Sequence, residues 1–463
     1  MTGPSAARTA RTVRQASETR EIGTVDTLRR GPDGPHFGCV GIGVGPANLS
    51  LASLLHGHPE MTSLFVERRE TFGWHDDQQI AGATLQVSLF KDLVTLADPT
   101  NKFSFLSYLH DQGMIYHFVN AQFDAMPRRE FRNYLEWASR KNENVTFGEE
   151  VLSVDFDRVF VIRTSKRTLT ADHVSLGIGN RPWVPEHARG LLGESQFHVS
   201  DFVRRSGGLG GRRVGVVGGG QSGAEAFLDL ISRPEGERPA HVAWISRRDN
   251  FFPIDDSPFT NDYFTPSFSD HFFGLDRAQR EAFNDRQLLA SDGVSPATLK
   301  EIYQRCYTRH FVEGDQKLIA LYPDRTVTEV SGGDGAWELT LEPGDRPRAV
   351  ERLTADVVVW ATGFRPARPD MLAPLAGRLE WEDEEIRVDR DFAACWDGPP
   401  DHGIFVQNGV RRQRGLADPN LSLIAWRSRR ILDRMLGVKT EEQCDSFLRW
   451  SSQPAVDKFP QGA

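Results

Sequence analysis

The sequence predicts an α/β fold made of two Rossmann-like units, the second inserted into a discontinuous first, with a small, mainly helical region set between them. Three observations predict it: a strand, glycine turn and helix over residues 37–55; a second copy of that order over residues 213–231; and an aromatic, then helical stretch after residue 250 that fits neither unit. A chain of 463 residues, 39% hydrophobic and 26% charged, is long enough for two or three domains and apolar enough to fold. The expected partition is 36–205 with 351–440 for the first unit and 206–350 for the second, the insertion covering 251–320. Residues 1–35, rich in Arg, Ala, Thr and Gly, read as a disordered tail, although an Arg-rich, acid-poor start is also the composition of a transit peptide. Residues 441–463 read as a C-terminal tail.

In the first unit, Phe37-Gly-Cys-Val-Gly-Ile42 is a short buried strand, Gly43-Val-Gly45-Pro46 a tight turn, and residues 47–55 a helix; a second strand, residues 62–66, ends in Glu67. In such a unit the first glycine makes the turn, the second admits a pyrophosphate to the backbone, and the helix N-terminus supplies unpaired N–H groups. Gly43 and Gly45 suit these roles. Pro46 costs nothing at the first helical position, where its N–H would have no partner. The third glycine position holds Asn48. Glu67 can accept hydrogen bonds from an adenosine ribose and would repel a 2′-phosphate, which suits FAD or NAD. The second unit matches fully, with Gly218, Gly220 and Gly223, and its ribose-end position carries Ser246, Arg247 and Arg248. Two guanidinium groups there favour the 2′-phosphate of NADPH. One flavin-type and one NADPH-type site in a single chain most simply pass a hydride from nicotinamide to flavin.

Between the units, residues 151–156 and 159–164 read as strands, and residues 173–179 as a strand with an exit at Pro182 and Pro185. The apolar strand at 356–360, followed by Ala361-Thr362-Gly363, is expected to complete the first unit, together with a helical run over 421–436. The insertion, opening FFPIDDSPFTNDYF, is expected to lie over the cleft as the substrate region.

Lys and Arg number 55 against 64 Asp and Glu, a formal charge of −9, which argues against nucleic acid or anionic lipid as partner. Cys39, Cys306, Cys395 and Cys444 stand singly, so neither a disulfide framework nor a metal site is expected. No apolar run approaches the ~20 residues of a membrane span and no secretory signal opens the chain, so the cytoplasm is the expected compartment. Without a redox cysteine pair beside the flavin, the reduced cofactor must discharge elsewhere, and O₂ is the natural acceptor.

Phe72-Gly-Trp74-His75, Leu85-Gln86-Val-Ser-Leu-Phe-Lys91-Asp92, Ala97-Asp-Pro-Thr100, Gly218-Gly-Gly-Gln221-Ser222-Gly-Ala-Glu225, Asp255-Asp-Ser-Pro-Phe259, Ala361-Thr-Gly363 and Asp418-Pro-Asn-Leu-Ser-Leu423 stand in order along the chain. Together they resemble the flavin-dependent N-hydroxylating monooxygenases of siderophore biosynthesis, the lysine N6-hydroxylase and ornithine N5-hydroxylase family, over residues 37–438. The resemblance implies that NADPH reduces FAD, that O₂ reacts with the reduced flavin, and that a neutral terminal amine of the substrate takes up one oxygen atom. It assigns Trp74, His75 and Gln86 to the flavin site, with Gln221, Ser222, Ala361, Thr362, Gly363, Pro419 and Leu421 among the cofactor contacts. Lys91, Asn261 and Ser291 fall to the substrate, and no side chain is nominated as general acid or base. A homo-oligomer, dimer or tetramer, is compatible with it.

The segment around Ser291 and the run Ala97-Asp-Pro resemble lysine and diamine hydroxylases, whereas Asn261 resembles ornithine enzymes. Lys91 favours an amino acid, since a diamine offers it no carboxylate. L-Lysine is the expected substrate, with putrescine, cadaverine or L-ornithine as alternatives. A non-catalytic NADPH/FAD redox sensor is the rival of another class. Carbon and sulfur monooxygenases share the two-site layout, but Leu192-Gly-Glu-Ser-Gln-Phe-His198 does not match their Phe-x-Gly-x-x-x-His signature. Gln413-Arg414-Gly415 stands where the resembled family usually shows Thr-His-Gly.

Overall fold

A computed structural model describes residues 30–31, 34–333, 335–346, 349–439 and 446–450. The two expected tails lie almost wholly outside the described residues. Among the described residues no helix is long and apolar enough to cross a membrane.

A mixed sheet and a parallel sheet form the two lobes. In the first, the strands run in the order Val145–Thr146, Ser63–Val66, Gly34–Ile42, Thr168–Leu176, and continue antiparallel through Val159–Thr164 to Val151–Asp157. Strand Gly34–Ile42 is buried at Phe37 and throughout its last four residues, as a strand inside a parallel sheet is, and helix Pro46–Leu55, which follows it, is itself buried along nearly its whole length. Its small residues make this possible. Ser53 satisfies its hydroxyl on Leu49 O at 2.7 Å and Ser50 on Leu93 O at 2.5 Å, letting the late helix Ile424–Leu436 pack against it. The chain re-enters the first sheet at Ile404–Val406, parallel to Thr168–Leu176.

The second sheet is wholly parallel, in the order Ile319–Tyr322, His241–Ile245, Arg213–Val217, Val357–Trp360, Gln196–His198. This corrects one expectation. Val357–Trp360 does not return to the first unit but pairs with Arg213–Val217 in the second sheet, and Gln196–His198 joins it there. A strand buried on both faces carries no alternation, so its sequence is equally compatible with either sheet. A three-stranded antiparallel sheet, Arg325–Gly333, Ala336–Pro343 and Glu351–Ala355, covers one face through Trp337, Leu339 and Leu341. The lobes are joined by an antiparallel ribbon of Asn180–Pro182 with Phe364–Pro366.

The insertion is helical, as its sequence suggests: Pro266–Phe273, Arg277–Arg286, Leu289–Asp292 and Pro296–Tyr307. Its halves pack on different lobes. The last helix lies against Gln221–Ser232 of the second lobe. The earlier ones build a separate apolar core, in which Phe264, Phe268, Phe272 and Phe283 meet Leu416, Ala417 and Leu423 of the first lobe.

Candidate functional site

The turn after Gly34–Ile42 opens at the C-terminal edge of its sheet, where α/β sheets hold their ligands. Gly43 has φ +87°, and a Cβ there would come within 2.5 Å of Gly177 O, so the position demands glycine. Gly45 has an ordinary φ of −78°, yet a Cβ on it would project into open space. No side chain caps the helix that follows, leaving its first N–H groups for a ligand. The Glu67 carboxylate stands at this loop, accepting hydrogen bonds from Val44 N–H at 3.0 Å and Arg69 N–H at 3.1 Å.

Asn48, which breaks the glycine fingerprint, is fully buried and bonded on both sides of its amide. It donates to Ile42 O and Gly43 O at 3.0 and 2.9 Å, and accepts from Ser175 Oγ and Gln407 Nε2, each at 2.8 Å. The close approach that a third glycine would permit has passed to Gly177, where a Cβ would lie 2.4 Å from Asn48 Cγ. The loop is therefore intact despite the imperfect motif.

Trp74 and His75 sit edge to face at 4.9 Å, Trp74 also against Phe131 at 5.6 Å, and His75 faces Phe364 of the bridging ribbon at 6.2 Å. Gln86 is exposed. Thr362 and Gly363 build the crossing between the lobes: Thr362 Oγ1 donates to Trp183 O at 2.5 Å, and Gly363 O accepts from Trp183 N–H at 3.0 Å. Ala361 closes the second sheet through Val217 O at 2.7 Å.

In the second loop, Gly218 has φ +139° and a Cβ there would meet Ala361 O at 2.0 Å; one on Gly223 would meet Gly218 O at 2.2 Å. Helix Gln221–Ser232 thus lies directly on the turn. Gly220 has only Asp292 O near its Cβ position, at 3.6 Å, and this helix too lacks a side-chain cap. Ser222 is half-buried in its first turn. Gln221 is committed elsewhere: its Oε1 accepts from Ser295 N–H at 2.8 Å and its Nε2 donates to Glu225 at 2.8 Å, fastening the last insertion helix. Glu225 also takes both guanidinium nitrogens of Arg128, at 2.6 and 2.9 Å, tying the lobes together. Ser246 is buried under the loop, its Oγ accepting from Arg248 N–H at 3.1 Å. Arg248 Nη1 donates to Asp292 O at 2.9 Å, whereas Arg247 is exposed.

A third cluster surrounds Lys91. Its Nζ donates to Ser422 Oγ at 3.0 Å and lies 5.7 Å from the Phe264 ring centre. Burial pulls the Lys91 ammonium below the usual lysine range. Among the described residues no carboxylate oxygen stands within 4.0 Å of it. The short helix Thr260–Phe264 that supplies Phe264 also carries Asn261, which is exposed and donates to Asp256 O at 2.8 Å. Pro419 and Leu421 are half-buried in the stretch leading to Ser422, whose N–H is held by Asn420 Oδ1 at 2.7 Å. Ser422 and Phe264 were missed from sequence, although Ser422 sits inside the Asp418–Leu423 motif. Ser291 is engaged otherwise, with Asp292 Oδ2 at 2.8 Å and Arg411 Nη2 at 3.3 Å.

Comparison with known proteins bears on this arrangement. Residues 35–366 match the model of the family described as L-lysine 6-monooxygenase/L-ornithine 5-monooxygenase. The chain is 38% identical over 403 residues to the L-lysine N6-monooxygenase of Escherichia coli, covering 86% of this chain and 94% of that protein. Among solved structures it resembles the FAD-bound cadaverine monooxygenase of the desferrioxamine pathway from Erwinia amylovora, with a TM-score of 0.84, 26% identity, and coverage of 90% and 99%. It is also similar to the Kutzneria sp. 744 ornithine N-hydroxylase with reduced FAD, NADP⁺ and L-ornithine, with a TM-score of 0.79, 31% identity, and coverage of 87% and 99%.

Proposed function

The chain belongs to the L-lysine 6-monooxygenase/L-ornithine 5-monooxygenase family, and from that premise we propose that it hydroxylates the side-chain amine of L-lysine, using FAD and NADPH, for hydroxamate siderophore assembly. The observation that carries the choice of an amino acid is Lys91: a half-buried ammonium, bonded to a hydroxyl and bare of carboxylates, is a ready partner for a substrate carboxylate.

Both dinucleotide loops fit their ligands. Gly45 and Gly220 leave the space a pyrophosphate needs, at the uncapped ends of helices of full length. Gly43, Gly45, Pro46 and Glu67 would hold FAD, with Trp74, His75 and Gln86 on its flank. Gly218, Gly220, Gly223, Arg247 and Arg248 would hold NADPH, Arg247 being the guanidinium open to the 2′-phosphate. When bound, the flavin supplies hydride acceptance from NADPH and activation of O₂.

The protein's own share is to present the amine unprotonated. An ammonium of pKa ≈ 10.4 has no lone pair to offer, and desolvation disfavours the charged form. Lys91 and Ser422 hold the carboxylate end, Phe264 removes water beside them, and the amine is directed away from the fixed positive charge. That charge adds to the preference for a neutral amine, so no general base is required.

The similarity to the cadaverine enzyme favours a diamine as the second reading. Purified protein supplied with FAD and NADPH is to be given L-lysine, L-ornithine, cadaverine and putrescine in turn, with hydroxylamine product measured. L-Lysine is expected to give the most product; product from a diamine and none from L-lysine would overturn the substrate assignment.

A further inference from the structure

The departure at Gln413-Arg414 has a structural counterpart. Arg414 is 1% exposed, its guanidinium packed between the rings of Phe273 and Phe392, 4.3 and 4.2 Å from their centres. It donates to Asp270 Oδ1 at 3.0 Å and to Arg390 O. Asp270 lies on helix Pro266–Phe273 and is also bound by Arg430 Nη1, at 3.0 and 2.8 Å to its two oxygens. Arg430 is held in turn by Asp391 at 2.9 Å. Two first-lobe arginines therefore converge on one carboxylate of the insertion.

That carboxylate stands on the helix directly after Thr260–Phe264, the turn that places Phe264 over Lys91. On the opposite side, Arg414 opens the segment that runs through Gly415, Leu416 and Ala417 to Ser422. Gly415 has φ +84°, and a Cβ on it would meet the Phe272 ring at 3.3 Å. One buried ion pair thus joins the two pieces of chain that form the Lys91 pocket. Gln413 fixes the same segment from behind, its Oε1 accepting from Val388 N–H at 2.9 Å and its Nε2 donating to Ile386 O at 2.9 Å.

We propose that Arg414 is a positioning residue for the amine substrate: through Asp270 it sets the distance between the Phe264 turn and the Lys91–Ser422 pair, and so determines amine affinity without touching the amine. The inference rests on the hydroxylase reading. Among the described residues Arg414 makes no hydrogen bond or ion pair to either dinucleotide loop.

The test is steady-state kinetics of FAD-loaded Arg414→Met, which keeps most of the volume and removes the Arg414–Asp270 pair while Arg430 still holds Asp270, beside Arg414→Lys, which keeps the charge. Hydrogen–deuterium exchange of residues 260–273 is followed in the same samples. Arg414→Met is expected to raise KM for the amine about tenfold, with kcat at saturating amine, KM for NADPH and flavin content within about twofold of the unaltered enzyme, and with faster exchange in 260–273. Arg414→Lys should recover part of the amine affinity. An unchanged amine KM alongside faster exchange would make the pair a structural tie only and overturn the proposal. So would amine and NADPH KM rising together with flavin loss. Should the unaltered protein hydroxylate none of the four amines, the hydroxylase reading itself fails, a result distinct from an active enzyme whose variant keeps its KM.

Discussion

Replacing Lys91 by methionine removes an ammonium while keeping most of an apolar stem. In the free enzyme this cation has Ser422 Oγ at 3.0 Å and the Phe264 ring at 5.7 Å as neighbours, so its loss breaks no ion pair and should leave the thermal unfolding temperature nearly unchanged. Bound L-lysine is different, because its carboxylate would lose a charge-assisted hydrogen bond contributing about 1.5 to 3 kcal/mol. At about 1.4 kcal/mol per factor of ten, kcat/KM for L-lysine should fall roughly 10- to 150-fold. Cadaverine is L-lysine with hydrogen in place of the carboxylate and keeps the spacing between the two amines, so its kcat/KM should change by no more than about twofold. The assay is hydroxylamine formation against amine concentration for both substrates at saturating NADPH. Equal losses for the two amines would refute the reasoning, since the lysine would then be serving the fold or the flavin instead of the carboxylate.

Arg247→Ala should lower the ratio of kcat/KM for NADPH over NADH about tenfold or more, because this exposed guanidinium is the one open to a 2′-phosphate; an unaltered ratio would remove it from that role. Gly45→Ala should reduce the FAD retained per chain without altering far-ultraviolet circular dichroism of the apoprotein, since φ −78° suits alanine and its Cβ would meet no protein atom within 4 Å. Full flavin content would show that no pyrophosphate approaches there. Burial raises Glu385 from 4.5 to about 7, so between those values the folded chain keeps a proton that the unfolded chain has released, and stability falls as pH rises through that window. Glu385→Gln should therefore be more stable to unfolding than the unaltered protein at pH 8, by a free energy on the order of 3 kcal/mol, and match it near pH 4.5. Identical unfolding at pH 8 would contradict a buried, ionised Glu385.

Local chemistry was legible in the sequence, and distant pairing was not. The two glycine turns, the acidic end of Ser63–Val66 and the arginine pair after His241–Ile245 are each set by neighbours a few residues away, and the structure puts each where its spacing suggests. The destination of Val357–Trp360 is not legible in sequence because an all-apolar run names no sheet. Asn48 looked like a defect because its compensating glycine is Gly177, which only folding brings beside it. Ser422 is hidden for the same reason, standing 331 residues from its partner Lys91. Gln221 and Ser291 lie inside family motifs, yet their side chains fasten the insertion and the loop facing Arg411; a motif records which residues recur, not which way they point.

The insertion belongs to one lobe by chain order and grips both by contact. Beyond its phenylalanine core, Arg280 meets Glu382 at 2.8 Å and Arg277 meets Asp383 at 2.7 Å, both acids lying on a hairpin far along the chain. Anyone wishing to exchange substrate preference between relatives by grafting residues 251–320 would therefore transplant half an interface. A workable chimera has to carry the hairpin at 381–386 and the stretch 411–423 with it, three pieces of sequence that must be inherited as one.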